Sequence, residues 1–234
     1  MKHVLFPAAL SLCVAAAPTL ADERVFDLAG FTEVSAGSGL DVEITQGDAF
    51  SVTAEGTSRA LKRLEIETRG DRLVIEQQSR GIQRFSPLMR ALGDEVVVRV
   101  TLPELTAVTA SAGSDVSVEG SAAAAFTAEA SSGADLELDG IDAQDVTLAA
   151  SSGAALEAQG RCEALEVQAS SGADLEAREL SCETAQAKAS SGARIELTAV
   201  TVAARASSGA EIDIWGADTV EAEESSGGDV DVNG

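Results

Sequence analysis

From residue 106 onward, apolar and polar residues alternate in short runs that a serine-glycine step interrupts. The step reads Ser111-Ala112-Gly113-Ser114-Asp115-Val116, then Ser131-Ser132-Gly133-Ala134-Asp135-Leu136. It returns at Gly153, Gly172, Gly192, Gly209 and Gly227, at intervals of 20, 20, 19, 20, 17 and 18 residues. A period near 20 with two-residue alternation is the pattern of stacked coils, none of which can bury its apolar side alone. The expected fold is all-β: a single-stranded parallel β-helix, or β-solenoid, with coils of roughly 20 residues.

Two side-chain registers separate within each coil. Three and five residues past the glycine stand Leu136 and Leu138, Leu175 and Ala177, Ile195 and Leu197, Ile212 and Ile214, Val230 and Val232. Successive strand side chains point to opposite faces, so these are assigned inward. The intervening acids, Asp135 and Glu137, Asp174 and Glu176, Glu211 and Asp213, Asp229 and Asp231, are assigned outward. A second strand before each step has Phe126 and Ala128, Val146 and Leu148, Leu165 and Val167, Ala185 and Ala187, Val202 and Ala204 inward. So many alanines suit a narrow interior. The glycine is expected at a tight turn where a β-carbon is costly. Period 2 and the frequent breaks exclude helices from the repeats. No capping segment is evident after Val232, so the last sheet edge is a candidate assembly surface.

Cys162 and Cys182 each lie eight residues before the first serine of the following turn, Ser170 and Ser190. They therefore occupy equivalent places in consecutive coils and should stack within disulfide range.

The N-terminus reads as an export signal. Lys2 and His3 precede an almost wholly apolar run from Val4 to Ala17, and Thr19-Leu20-Ala21 offers small residues at a cleavage site. That run is shorter than the ~20 residues a membrane-spanning helix needs. Residues 1–21 are assigned as signal peptide and 22–234 as one domain, divided into a divergent half (22–105) and the regular repeats (106–234). Cleavage leaves no transmembrane segment and no histidine, and an oxidising compartment (periplasm or outer cell surface) in which a Cys162–Cys182 disulfide persists.

Charge narrows the partners. After signal removal 15 basic residues face 39 acidic ones, a net charge of −24. Nucleic acid and anionic membrane surfaces are poor partners on electrostatic grounds. The imbalance is uneven: net −4 over residues 22–100 and −20 over 101–234. The candidate contact segment lies in the more basic part, with Ile82, Arg84, Phe85, Leu88, Met89, Arg90 and Leu92 as its basic and large apolar groups; Trp215 is a second candidate where the repeat fails.

The divergent half keeps the alternation in Phe50-Ser51-Val52-Thr53-Ala54 and Leu64-Glu65-Ile66-Glu67-Thr68, with Arg69-Gly70-Asp71 as a predicted hairpin turn. It also carries Phe31-Thr32-Glu33-Val34, Gly39-Leu40-Asp41-Val42-Glu43-Ile44-Thr45-Gln46-Gly47, Leu73-Val74-Ile75 and Val98-Arg99-Val100-Thr101-Leu102-Pro103-Glu104-Leu105. With the Ser-Gly-Ala-Asp turns, these motifs resemble the putative auto-transporter adhesin head GIN domain family over about residues 24–234. The resemblance implies an exported or envelope-associated β-helical protein and supplies no catalytic residues. With no translocating barrel after the head, a free-standing head domain is expected.

The acidic columns are the candidates for chemistry. Asp135 with Glu137 and Asp174 with Glu176 share a side and could pair as acid and base. Acids that recur in almost every coil describe a solvated face, and an active site should break the pattern once. The chain has no tyrosine and one tryptophan, Trp215, so it lacks the aromatic platforms of sugar-processing grooves. Histidine-dependent triads are impossible after cleavage. Stacked carboxylates repel, and calcium could relieve this at Asp135, Glu137, Asp174 and Glu176; the glycine-rich nonapeptide calcium repeat is absent, so no cofactor is assigned. Arg194 interrupts one column as a counter-charge. The expectation is an exported, non-enzymatic module that recognises an unidentified protein or glycan surface, with self-association through the solenoid ends as a further possibility. The alternatives are a β-helical carbohydrate-active enzyme and a structural assembly module.

Overall fold

The strands follow the sequence periodicity closely enough to be read coil by coil. The structure, a computed structural model, describes residues 22–78 and 96–233. The signal segment and the candidate contact residues Ile82, Arg84, Phe85, Leu88, Met89, Arg90 and Leu92 lie outside the described residues. Strands β1 (Asp22–Phe26), β2 (Glu33–Ala36), β3 (Asp41–Gln46) and β4 (Ser51–Gly56) are followed by a one-turn helix α1 (Ser58–Leu61), β5 (Leu64–Arg69) and β6 (Arg72–Gln77). Then come β7 (Val96–Leu102), β8 (Ala107–Ala110), β9 (Asp115–Ser121) and β10 (Ala125–Ser131). Four long strands follow: β11 (Asp135–Ser151), β12 (Ala155–Ser170), β13 (Asp174–Ser190) and β14 (Arg194–Ser207). The last three are β15 (Glu211–Trp215), β16 (Thr219–Ser225) and β17 (Asp229–Asn233). They wind into a β-solenoid of about six turns.

One coil explains the rest. From Ala134 the buried residues are Leu136, Leu138, Ile141, Ala143, Val146, Leu148 and Ala150. The spacing is two except at 138→141 and 143→146, where two consecutive residues face out. Each doubling is a bend, and the Ser-Ser-Gly step makes the third, so this coil has three faces. Parallel pairing holds apolar residues in line, Val146 on Leu165 and Leu148 on Val167. The core is one continuous column of such side chains from Phe31 to Ile214.

The step itself is a type I′ turn. Ser132 (φ 56°) and Gly133 (φ 68°) both have left-handed backbones, and the Ala134 N–H donates to the Ser131 carbonyl at 3.2 Å. Neighbouring turns are joined as well: the Gly133 N–H donates to the Ser152 carbonyl at 3.2 Å, and Gly172 to Ser191 at 3.1 Å. The glycine was expected at such a turn. That the serine before it shares the conformation was not legible, because serine has no particular preference for it.

The N-terminal half joins the same solenoid out of order. β2 pairs in parallel with both β6 (Val34 on Leu73) and β8 (Val34 on Val108). β3 likewise pairs with β7 and β9. The first coil of the chain therefore lies between the second and the third. Antiparallel strands finish this end: β4 on β7, β1 on β4, and β5 on β6 through the predicted Arg69-Gly70-Asp71 hairpin. α1, capped by the Thr57 hydroxyl, which accepts from the Ala60 N–H at 3.3 Å, buries Ala60 and Leu61 there.

At the other end the inward assignment fails for one residue and weakens for its neighbour. Val232 is 55% exposed and Val230 only partly buried, because no described strand lies over the outer side of their coil.

Candidate functional site

Stacking turns the outward register into columns. One runs Asp41, Asp115, Asp135, Ala155, Asp174, Arg194, Glu211, Asp229; beside it run Glu43, Ser117, Glu137, Glu157, Glu176, Glu196, Asp213, Asp231. Where Ala155 replaces an acid, the surface sinks into a cleft of about 240 Å³ bordered by Asp115, Asp135, Glu137, Glu157, Asp174 and Glu176. All four residues considered for calcium from the sequence thus border one cleft, which no lysine or arginine lines. Burial and then the charges of Glu196, Glu157 and Asp174 raise the pKa of Glu176, against the pull of Arg194.

Arg194 does act as a counter-charge. Its guanidinium lies 2.5 Å from Glu211, 3.4 Å from Asp213 and 3.5 Å from Glu196, and these acids, Glu211 foremost, raise its pKa above the ordinary arginine value. Carboxylate oxygens of Glu211, Asp213 and Asp231 lie within 4.8 Å of one another, closer than the sequence pattern implied. Two of the three already hold Arg194. At the opposite end Arg99 bridges Glu43 (2.8 Å) and Glu55 (2.9 Å).

Two outcomes are expected here. Because the folded state raises the Glu176 pKa, it binds that proton more tightly than the unfolded chain, and stability at this residue rises as pH falls through the raised value. Glu176→Gln should therefore raise the melting temperature slightly at neutral pH and low salt. The gain should vanish in acid and shrink with added sodium chloride. Separately, millimolar calcium should raise the melting temperature no more than sodium at matched ionic strength, as diffuse screening requires. A larger calcium effect would show specific ligation.

Trp215 closes β15 and is half-buried. Its ring carries the Arg178 guanidinium, 4.6 Å from the centroid. Arg178 arrives there because Arg178, Glu179 and Leu180 have no counterparts in β14: Ala177 pairs with Leu197 and Ser181 with Thr198. This missing corner is the 17-residue interval seen in the sequence. The Thr198 hydroxyl donates to the Arg178 carbonyl at 2.8 Å and so fixes the bulge. The candidate aromatic contact is thus partly covered by its own chain. No local pattern in the sequence marks this contact across two coils.

Cys162 and Cys182 pair in register between β12 and β13 and are bonded, with Cα atoms 4.6 Å apart. Both are buried. A second surface of the solenoid carries Lys188 and Arg205 side by side, Lys188 3.8 Å from Glu166 and Arg205 2.9 Å from Glu223.

Residues 30–217, Gly30 through the end of β15 and two residues beyond, match the model of the family described as Putative auto-transporter adhesin, head GIN domain. The chain belongs to that family. Solved structures agree with this head GIN fold. A putative adhesin from Bacteroides fragilis superimposes with a TM-score of 0.82 at 13% identity, covering 92% of this chain and 98% of the other. A putative adhesin from Parabacteroides merdae gives 0.73 at 11% identity over 93% and 98%. A putative lipid binding protein from Parabacteroides distasonis gives 0.69 at 14% identity over 93% and 98%. At such identities the likeness is one of fold. No curated protein matches the chain. Among the described residues of this head GIN domain, no helix is long and apolar enough to cross a membrane.

Proposed function

We propose that this head GIN domain is an exported, non-enzymatic adhesion module of the bacterial envelope that meets a protein or glycan surface with the broad sides of its solenoid. One observation carries the reading. The outward side chains recur in register over coil after coil, from Asp41 to Asp229 and from Glu43 to Asp231. Such a surface makes many similar weak contacts at once, and repetition multiplies them. An active site breaks the regularity of a repeat, whereas the acids beside Glu176 recur coil after coil, which supports a surface more than a reaction centre. The name of the family supports adhesion in the same way.

Protease treatment of intact cells tests the reading. Cleavage of the protein on whole cells, together with loss of cell attachment in a deletion strain, is the expected result. Protection until the envelope is opened would place the domain in the periplasm and end the adhesion reading.

A further inference from the structure

Among the described strands, β16 pairs only with β14 and β17 only with β15. Their other edges present backbone N–H and C=O groups to an incoming strand, apart from the Val230 N–H, which donates to Glu224. The apolar column is unfinished at the same place. Val220 and Val230 are partly buried and Val232 is 55% exposed, whereas their register partners Val202, Ile212 and Ile214 are at 1%, 0% and 0%.

Charge decides what can cover this end. No lysine or arginine follows Arg205 in the sequence. Arg194 engages Glu211 and Asp213, and Arg205 engages Glu223. Glu221, Asp229 and Asp231 have no ion-pair partner among the described residues. Glu224 is the most informative. It takes the inward register position that Ala130, Ala150, Ala169, Ala189 and Ala206 hold in the preceding coils. Those alanines are at most 3% exposed, while Glu224 is exposed and accepts a hydrogen bond from the Val230 N–H at 3.2 Å. A second copy placed edge to edge would bring two such uncompensated acidic edges together, so self-pairing is opposed. An inward acid also rejects a purely apolar strand.

We propose that the β16–β17 edge accepts an extended strand of another protein in which basic and apolar residues alternate. Its apolar side chains cover Val220, Val230 and Val232, and its basic side chains meet the outward acids Glu221, Asp229 and Asp231. Main-chain hydrogen bonds to the free edge supply affinity, and the alternating pattern supplies specificity. This surface is the end edge of the solenoid; it shares Asp229 and Asp231 with the columns assigned to adhesion but needs no binding by the other coils.

Trp215, the single tryptophan, pairs with Asn233 of β17 and reports on the edge by its emission. The test titrates a short peptide of alternating lysine and valine into the full chain at low salt, against a block-ordered peptide of the same composition. The expected result is a saturable emission change with the alternating peptide and about tenfold weaker binding of the block peptide, equivalent to about 1.4 kcal/mol. Asp231→Lys and Asp229→Lys should abolish the response, while Asp145→Lys, the same charge change at a remote bend, should retain it. Equal binding of both peptides, or an unchanged response in the edge variants, would overturn the proposal. So would end-to-end self-association of the wild-type chain in sedimentation that Glu224→Lys removes.

Discussion

Gly160→Ala is expected to lower stability by more than about 3 kcal/mol, beyond the usual cost of a single added methyl group. The reason lies in the 19-residue coil. Leu138 pairs with Ala158, but Ile141 pairs with Gly160, so β12 passes this bend with one residue fewer than β11. The shortened path presses the two backbones together. A β-carbon at Gly160 would lie 2.1 Å from the Ile141 carbonyl oxygen and 2.7 Å from its nitrogen. Both are main-chain atoms held by the parallel ladder, so no rotamer change can make room. The φ of 140° adds strain of its own. Gly172→Ala is the control. Gly172 also has a left-handed backbone (φ 68°), yet no atom lies within 4 Å of the added β-carbon. That change should cost only the conformational term, about 1–2 kcal/mol. Urea midpoints of the two variants and the wild type measure the difference. Similar losses for both would mean that the bend relaxes and that the shorter coil imposes no close approach.

Gly160 also marks the boundary of what local sequence reveals. Alternation and the Ser-Ser-Gly step are short-range signals, and they placed Leu136, Leu175 and Ile195 inside and Asp135, Asp174 and Glu176 outside, as the structure has them. The bends at 139–140 and 144–145 are also local, but each is only a doubled outward residue and is easily read as a lapse in the pattern. For that reason the alternation alone does not decide between two faces and three, and Ile141 and Leu180 mark the third. Stacking order is not local at all. The inward residues Val34 and Ala36 of β2 suit either neighbour, and the structure gives them both, β6 and β8. Nothing in the sequence of β2 states that a later segment will pack beneath it.

The candidate site divides in the same way. The acid columns follow from register alone. The cleft at Ala155 needs the absence of one side chain to be set among neighbours 19 and 20 residues away. Arg178 over Trp215 needs three unmatched residues in one coil and the ring from two coils on. Intervals of 19 and 17 residues were visible from the start. They become structural statements only once the long strands are aligned, one as a close approach and the other as a bulge.

The Cys162–Cys182 bond joins two such coils, and its removal should have the second large effect. Replacing both cysteines by alanine should lower stability by about 3 kcal/mol if the bond acts by restricting a loop of this length in the unfolded chain. For a domain of this size that corresponds to a fall of roughly 6–12 °C in melting temperature. The sequence separation is 20 residues, one full coil, and β12 and β13 already hold the two positions in register. The folded ladder therefore needs no bond to bring the cysteines together, and most of the benefit should lie in the unfolded ensemble. Two measurements separate the contributions. The double variant should unfold at lower urea with an increased dependence on denaturant, because its unfolded chain is freer to expand. Hydrogen exchange of the folded state at β12 and β13 should change little beyond the loss in global stability. If exchange instead rises only in these two strands while the urea midpoint stays in place, the bond serves as a local clamp on the coil pair, and the unfolded-chain account is wrong.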